Sequence, residues 1–89
     1  MKVKVYNMTS PNGNKVANQF EIHTNKGKYF QSYKSIIVFI SNKGQVYLDE
    51  YYWDYSTTTG KYRNMFLNEG INNTRQKIVS GEYKFKNLN

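Results

Sequence analysis

Ile36-Ile37-Val38-Phe39-Ile40 is the stretch that decides the fold: five consecutive apolar residues, four of them β-branched, with no polar position to mark a wet side. A strand apolar on both faces belongs in the middle of a sheet with both faces covered. A single small sheet cannot cover itself, so this segment demands a second layer from elsewhere in the chain.

Working back from it, Lys28 to Tyr33 reads as the partner strand. Asn25-Lys26-Gly27 is the turn that joins it to Gln19–Thr24, where Phe20 and Ile22 alternate as an inward face against Glu21 and His23 outward. Seventeen residues on, Ser41-Asn42-Lys43-Gly44-Gln45-Val46-Tyr47 echoes Thr24-Asn25-Lys26-Gly27-Lys28-Tyr29-Phe30, so two consecutive hairpins are expected to share one turn. Upstream, Lys2 to Met8 alternates as a half-buried strand and Ser10-Pro11-Asn12-Gly13-Asn14 is a loop by turn chemistry. The opening residues carry no long apolar run, and five apolar residues form neither a leader core nor a membrane span, which points to a cytoplasmic protein. The absence of cysteine agrees with a reducing compartment.

Working forward, the second layer is helical. Ser56-Thr57-Thr58-Thr59 is a run of cap candidates, after which Tyr62, Met65 and Phe66 fall on one helix face. Asn68-Glu69-Gly70 breaks this helix; Asn72 or Asn73 then caps a second one in which Ile71, Ile78 and Val79 face the core, with Gly81 beyond its end. Glu82 to Leu88 alternates Tyr83 and Phe85 with Lys84 and Lys86 as a last short strand. The expectation is an α+β single domain over residues 1–89: an antiparallel sheet of about four strands packed against two short helices with a final strand. It has a hairpin half (1–48), an aromatic hinge (49–58) and a helical half (59–89).

Eighty-nine residues carry 13 Lys+Arg against 6 Asp+Glu, a formal net charge of +7, which favours a polyanionic partner. Twelve Asn and eleven Lys are also what codon bias in an AT-rich genome produces, and so part of the charge is discounted. The charge is partitioned: +6 over residues 1–48, −3 over 49–60 and +4 over 61–89. Two basic regions are thus separated by Asp49-Glu50-Tyr51-Tyr52-Trp53-Asp54-Tyr55, whose Trp53 and Tyr55 are expected to plug the join between halves.

The segment Lys61-Tyr62-Arg63-Asn64-Met65-Phe66-Leu67 followed by Thr74-Arg75-Gln76-Lys77-Ile78-Val79-Ser80-Gly81-Glu82-Tyr83 resembles the winged helix-turn-helix of excisionase-like and MerR-like DNA-binding proteins. The resemblance implies that Asn73, Thr74, Gln76 and Lys77 form the outward face of a recognition helix, with Lys84 and Lys86 as wing contacts. Lys61, Arg63 and Arg75 would neutralise phosphates beside them. It further implies a duplex-DNA-binding accessory or regulatory protein of a plasmid or phage, of a kind that often works as a homodimer. The alternative is a small inhibitor of a host protein, an anti-CRISPR or other anti-defence factor, that binds through a Tyr/Lys-rich surface to which Tyr29, Tyr33, Tyr47, Lys26, Lys28 and Lys43 would contribute. A third class, single-strand nucleic-acid binding, would use the same sheet for base stacking.

Catalytic chemistry is poorly supplied. His23 has only Glu21 near it in sequence, and Asp49, Glu50 and Asp54 make an acidic turn with no further ligands. No phosphate-binding glycine loop, metal-spaced His pair or nucleophile elbow occurs. No enzymatic activity, cofactor or metal is therefore expected.

Overall fold

The computed structural model describes residues 2–89, with Met1 outside them. Six strands form one sheet in sequence order: β1 (Lys4–Thr9), β2 (Lys15–Thr24), β3 (Gly27–Ser32), β4 (Ser35–Ser41), β5 (Val46–Asp49) and β6 (Tyr83–Lys86). Between β5 and β6 run α1 (Thr57–Leu67) and α2 (Ile71–Val79). Neither helix is long and apolar enough to cross a membrane.

This corrects the expected architecture. The sheet has six strands and is mixed, and the last strand is not a wing: β6 pairs parallel to β5, with Val46 opposite Tyr83 and Leu48 opposite Phe85. Parallel neighbours cannot be joined by a hairpin and need a long crossover, which the two helices supply. The Tyr83/Phe85 alternation that suggests a free strand is the alternation of a sheet member.

The helices cover one face only. On that face a row runs across the strands through Glu21, Phe30, Val38, Leu48 and Phe85. Phe30, Val38 and Leu48 are fully buried and Phe30 stacks on Phe66 of α1 at 5.8 Å. Ile37 joins them because a bulge opposite Phe30 and Gln31 makes it the extra residue of β4. The other face has no covering layer, so the apolar Ile36–Ile40 run is sealed on one side and half-exposed on the other. The same register reverses the expected sidedness of β2: Glu21 shares the helix-covered face with Phe30, while Phe20 and Ile22 point to the open one.

The echoed turns differ too. Thr24 pairs directly with Gly27 around a two-residue turn, whereas Ser41 receives its closing bonds from Gly44 and Gln45 in a longer one. The offset places Tyr29 and Tyr47 on the open face and their counterparts in the echo, Val46 and Phe30, on the covered one. In the helices, Ser56 caps α1 as expected, its Oγ accepting the Thr59 N–H at 3.1 Å. The cap of α2 is Gly70, not Asn72 or Asn73. Met65 and Val79 are exposed, Val79 at 88%. Trp53 is half-buried against Arg63 and Phe85, but Tyr55 is exposed.

Two carboxylates fasten the crossover. Asp49, at the end of β5, accepts the backbone N–H groups of Tyr51, Tyr52 and Leu88 and the Asn89 amide, and so ties the start of the crossover to the chain that follows β6. Glu69, between the helices, accepts Thr74 Oγ1 at 2.6 Å, Lys77 Nζ at 2.6 Å and Tyr83 Oη at 3.0 Å, binding α2 to β6. Burial pushes both carboxyls up, but these donors outweigh it and hold Asp49 below its ordinary 3.8 and Glu69 below its ordinary 4.5.

A carboxyl lowered in the folded state stabilises fully above its unfolded value and loses that contribution as pH falls through the folded one. Thermal melts from about pH 7 to about pH 2 should therefore show a plateau that collapses below about pH 4. Glu69→Gln should melt lower at neutral pH and lose less on acidification. Gly27 sits at φ 147° where an added Cβ would lie 2.1 Å from the Ile40 carbonyl oxygen. Gly27→Ala should accordingly cost about 3 kcal/mol or more in denaturant unfolding, since the obstruction is backbone that cannot step aside.

Candidate functional site

The residues of the expected recognition helix are separated by the fold. Arg63 is 1% exposed and its guanidinium donates to the Trp53 carbonyl at 2.6 Å, Asp54 at 3.1 Å and the Asn64 side chain at 3.1 Å. Thr74 is fully buried, donating to Glu69, and Lys77 is held by the same carboxylate. Asn73, Arg75 and Gln76 remain exposed on α2 and Lys61 on α1. Arg75 lies 3.6 Å from Asp54. Lys84 and Lys86 are not beside α2: their pairing with Tyr47 and Asp49 places them on the open face of the sheet.

That open face gathers what sequence spacing scatters. One row crosses all six strands: Val5, Ile22, Tyr29, Phe39, Tyr47 and Lys84. Phe20 flanks it from β2, and Val3 and Val5 are more than half exposed. Tyr29 stacks on Phe39 at 4.5 Å, Phe39 on Tyr47 at 6.0 Å, and Lys86 Nζ lies 5.4 Å from the Tyr47 ring centre. Phe39 is thus stacked between Tyr29 and Tyr47, and Tyr47 has Lys86 beside it as well. Tyr33 stands apart, at the β3–β4 turn.

Charge follows the same division. Among the described residues, the Lys and Arg side chains in ion pairs are all in helices: Arg63, Arg75 and Lys77. The sheet and turn lysines Lys4, Lys26, Lys28, Lys43, Lys84 and Lys86 pair with no carboxylate. Lys26 and Lys43 are neighbours at one end of the sheet, where the Asn42 amide bonds to the Asn25 carbonyl at 2.6 Å and the Asn42 N–H to Lys26 at 3.2 Å. Lys4 and Lys28 flank His23 at the same end, and His23 is itself bound to Glu21 at 2.8 Å. Asp54 and Glu69, which flank the helices, pair with Arg63, Arg75 and Lys77, so among the described helix cations Lys61 alone is left without a carboxylate.

Sequence reasoning missed Val5, Phe20, Ile22 and Phe39 as surface residues because it assigned them to a covered face. The signal that could have found them is the count of layers: two short helices cannot roof both sides of a six-stranded sheet.

No curated protein and no solved structure matches the chain. A family model does match, over residues 2–84, and the chain belongs to that family, DUF8033, described as a family of unknown function.

Proposed function

We propose that this is a non-enzymatic protein-binding module whose working surface is the open face of the sheet, and that its partner presents an apolar patch ringed by carboxylates. The observation that carries the reading is the Val5–Ile22–Tyr29–Phe39–Tyr47 row lying uncovered, with Lys84 and Lys86, which pair with no carboxylate, beside it on the same face. A stripe of this kind on a small domain is what interfaces are made of: an apolar, aromatic centre that loses water on contact, and a charged rim that steers and orients. Its mode of action would be that of a small inhibitory or anti-defence factor, which occupies another protein's acidic surface.

Nucleic acid fits this face less well on two physical grounds. A phosphate backbone offers nothing to bury Val5, Ile22 and Phe39 against, and base stacking needs free ring faces, of which the mutual stacking takes both on Phe39 and one each on Tyr29 and Tyr47. The duplex reading through α2 retains exposed Asn73, Arg75 and Gln76, but both α2 cations are committed to carboxylates.

A photo-crosslinking side chain placed at Tyr47 should capture one protein partner, with capture weakened by added salt and reduced at least about tenfold by Lys84→Glu with Lys86→Glu. The same probe at Gln76 should capture nothing. Saturable, sequence-dependent duplex binding at about 150 mM salt, abolished by replacing Arg75 and Gln76 but indifferent to the sheet lysines, would overturn the proposal.

A further inference from the structure

β1 is an outer strand of the sheet: among the described residues it pairs with β2 on one side and with no strand on the other. Which of its backbone groups are left over follows from the ladder. The Tyr33 N–H bonds to the Asn18 carbonyl, and Thr24 and Gly27 close a two-residue turn, so Phe20, Ile22 and Thr24 turn their N–H and C=O groups toward β3. The alternate residues Glu21 and His23 therefore serve β1, where they oppose Tyr6 and Lys4. Val5 and Asn7, and Val3 just before the strand, are left with their N–H and C=O groups aimed off the edge of the sheet.

The far edge of the sheet is defended and this one is not. β6 has four residues with Lys84 and Lys86 in alternation, the short, charged strand by which sheets resist pairing. In Val3–Asn7 no proline interrupts the strand, Lys4 is the one charge, and the register with β2 runs unbroken from Lys4 to Asn7; the shift comes beyond, between Asn7 and Thr9. Val3, Val5 and Tyr6 are 53%, 60% and 48% exposed.

We propose that β1 binds β1 of a second copy of this chain, antiparallel, about a two-fold axis at Val5, so that two sheets become one. That axis lies in the middle of the free backbone groups. Val5 then faces Val5 of the second copy, Val3 faces its Asn7, and each pair exchanges both N–H···O=C bonds. An axis at Asn7 would carry the pairing into the register shift.

The side chains agree with this register. On the open face Val5 packs on Val5, and the row through Ile22, Tyr29, Phe39 and Tyr47 continues across both copies. On the other face Lys4 of each copy falls opposite Tyr6 of the other, with Glu21 next beyond it, so lysine meets a ring on the way to a carboxylate and never another lysine. A strand complementary to itself is what a two-fold interface requires, which favours a second copy over the strand of another protein. Because β6 is defended, the assembly closes at two copies. The inference is independent of what the open face binds.

Sedimentation velocity of the full chain from about 10 μM to about 1 mM, in about 150 mM salt to screen the +7 charge on each copy, should show a monomer–dimer equilibrium. Hydrogen exchange at both ends of that range should find the Val3, Val5 and Asn7 amides protected at the higher concentration alone, and those of Lys4 and Tyr6 protected at both. Val5→Lys keeps the β1–β2 ladder and sets like charges against each other at the axis, and should weaken the dimer at least about tenfold. Val5→Pro removes an N–H that β2 does not use and should stay monomeric throughout; if it does not fold, Val5→Lys decides alone. Monomer mass across the whole range, an undiminished dimer in the Val5→Lys protein, or exchange protection gained away from Val3–Asn7 would overturn the proposal.

Discussion

The parallel pairing of β6 with β5 is the constraint on which the molecule depends. Five strands in an antiparallel meander could be built with turns alone, but a sixth strand that runs parallel to the fifth obliges residues 50–82 to leave the sheet, cross a face and return. Everything helical in the protein is that excursion. It can cross only one face, and so the other stays open by topology, not by any local preference of the residues there.

The excursion also consumes charge. To dock the helices, Asp54 takes Arg63 and Arg75, and Glu69 takes Lys77, while Asp49 gathers backbone donors from the point of departure and from the chain after β6. Half of the chain's six acids are spent this way. Of the eleven lysines only Lys77 is in these pairs, and the others stand mostly on the strands and their turns. The basic character of the strands and turns is thus partly a by-product of how the helices are fastened.

Local chemistry was legible where it is self-sufficient. The Asn25–Lys26 and Asn42–Gly44 turns, the Ser56 cap and the break at Asn68–Gly70 follow from residues that set their own backbone, and each is where spacing placed it. The sidedness of Phe20, Ile22, Tyr29 and Tyr47 was not legible, because a one-residue difference between two similar turns exchanges the faces of a strand. The fate of Arg63, Thr74 and Lys77 was not legible either. A cation or hydroxyl on a helix looks the same in sequence whether it meets water or a carboxylate brought from another element.

What the sequence by itself determined is where most strands, turns and helices lie and the excess of positive charge, since these depend on periodicity, turn chemistry and composition. The tertiary structure decided which side of each strand is covered, which cations are free and which strand edge stands open. Those are properties of pairings between residues distant along the chain, such as Leu48 with Phe85 and Asp49 with Asn89, which no local pattern encodes.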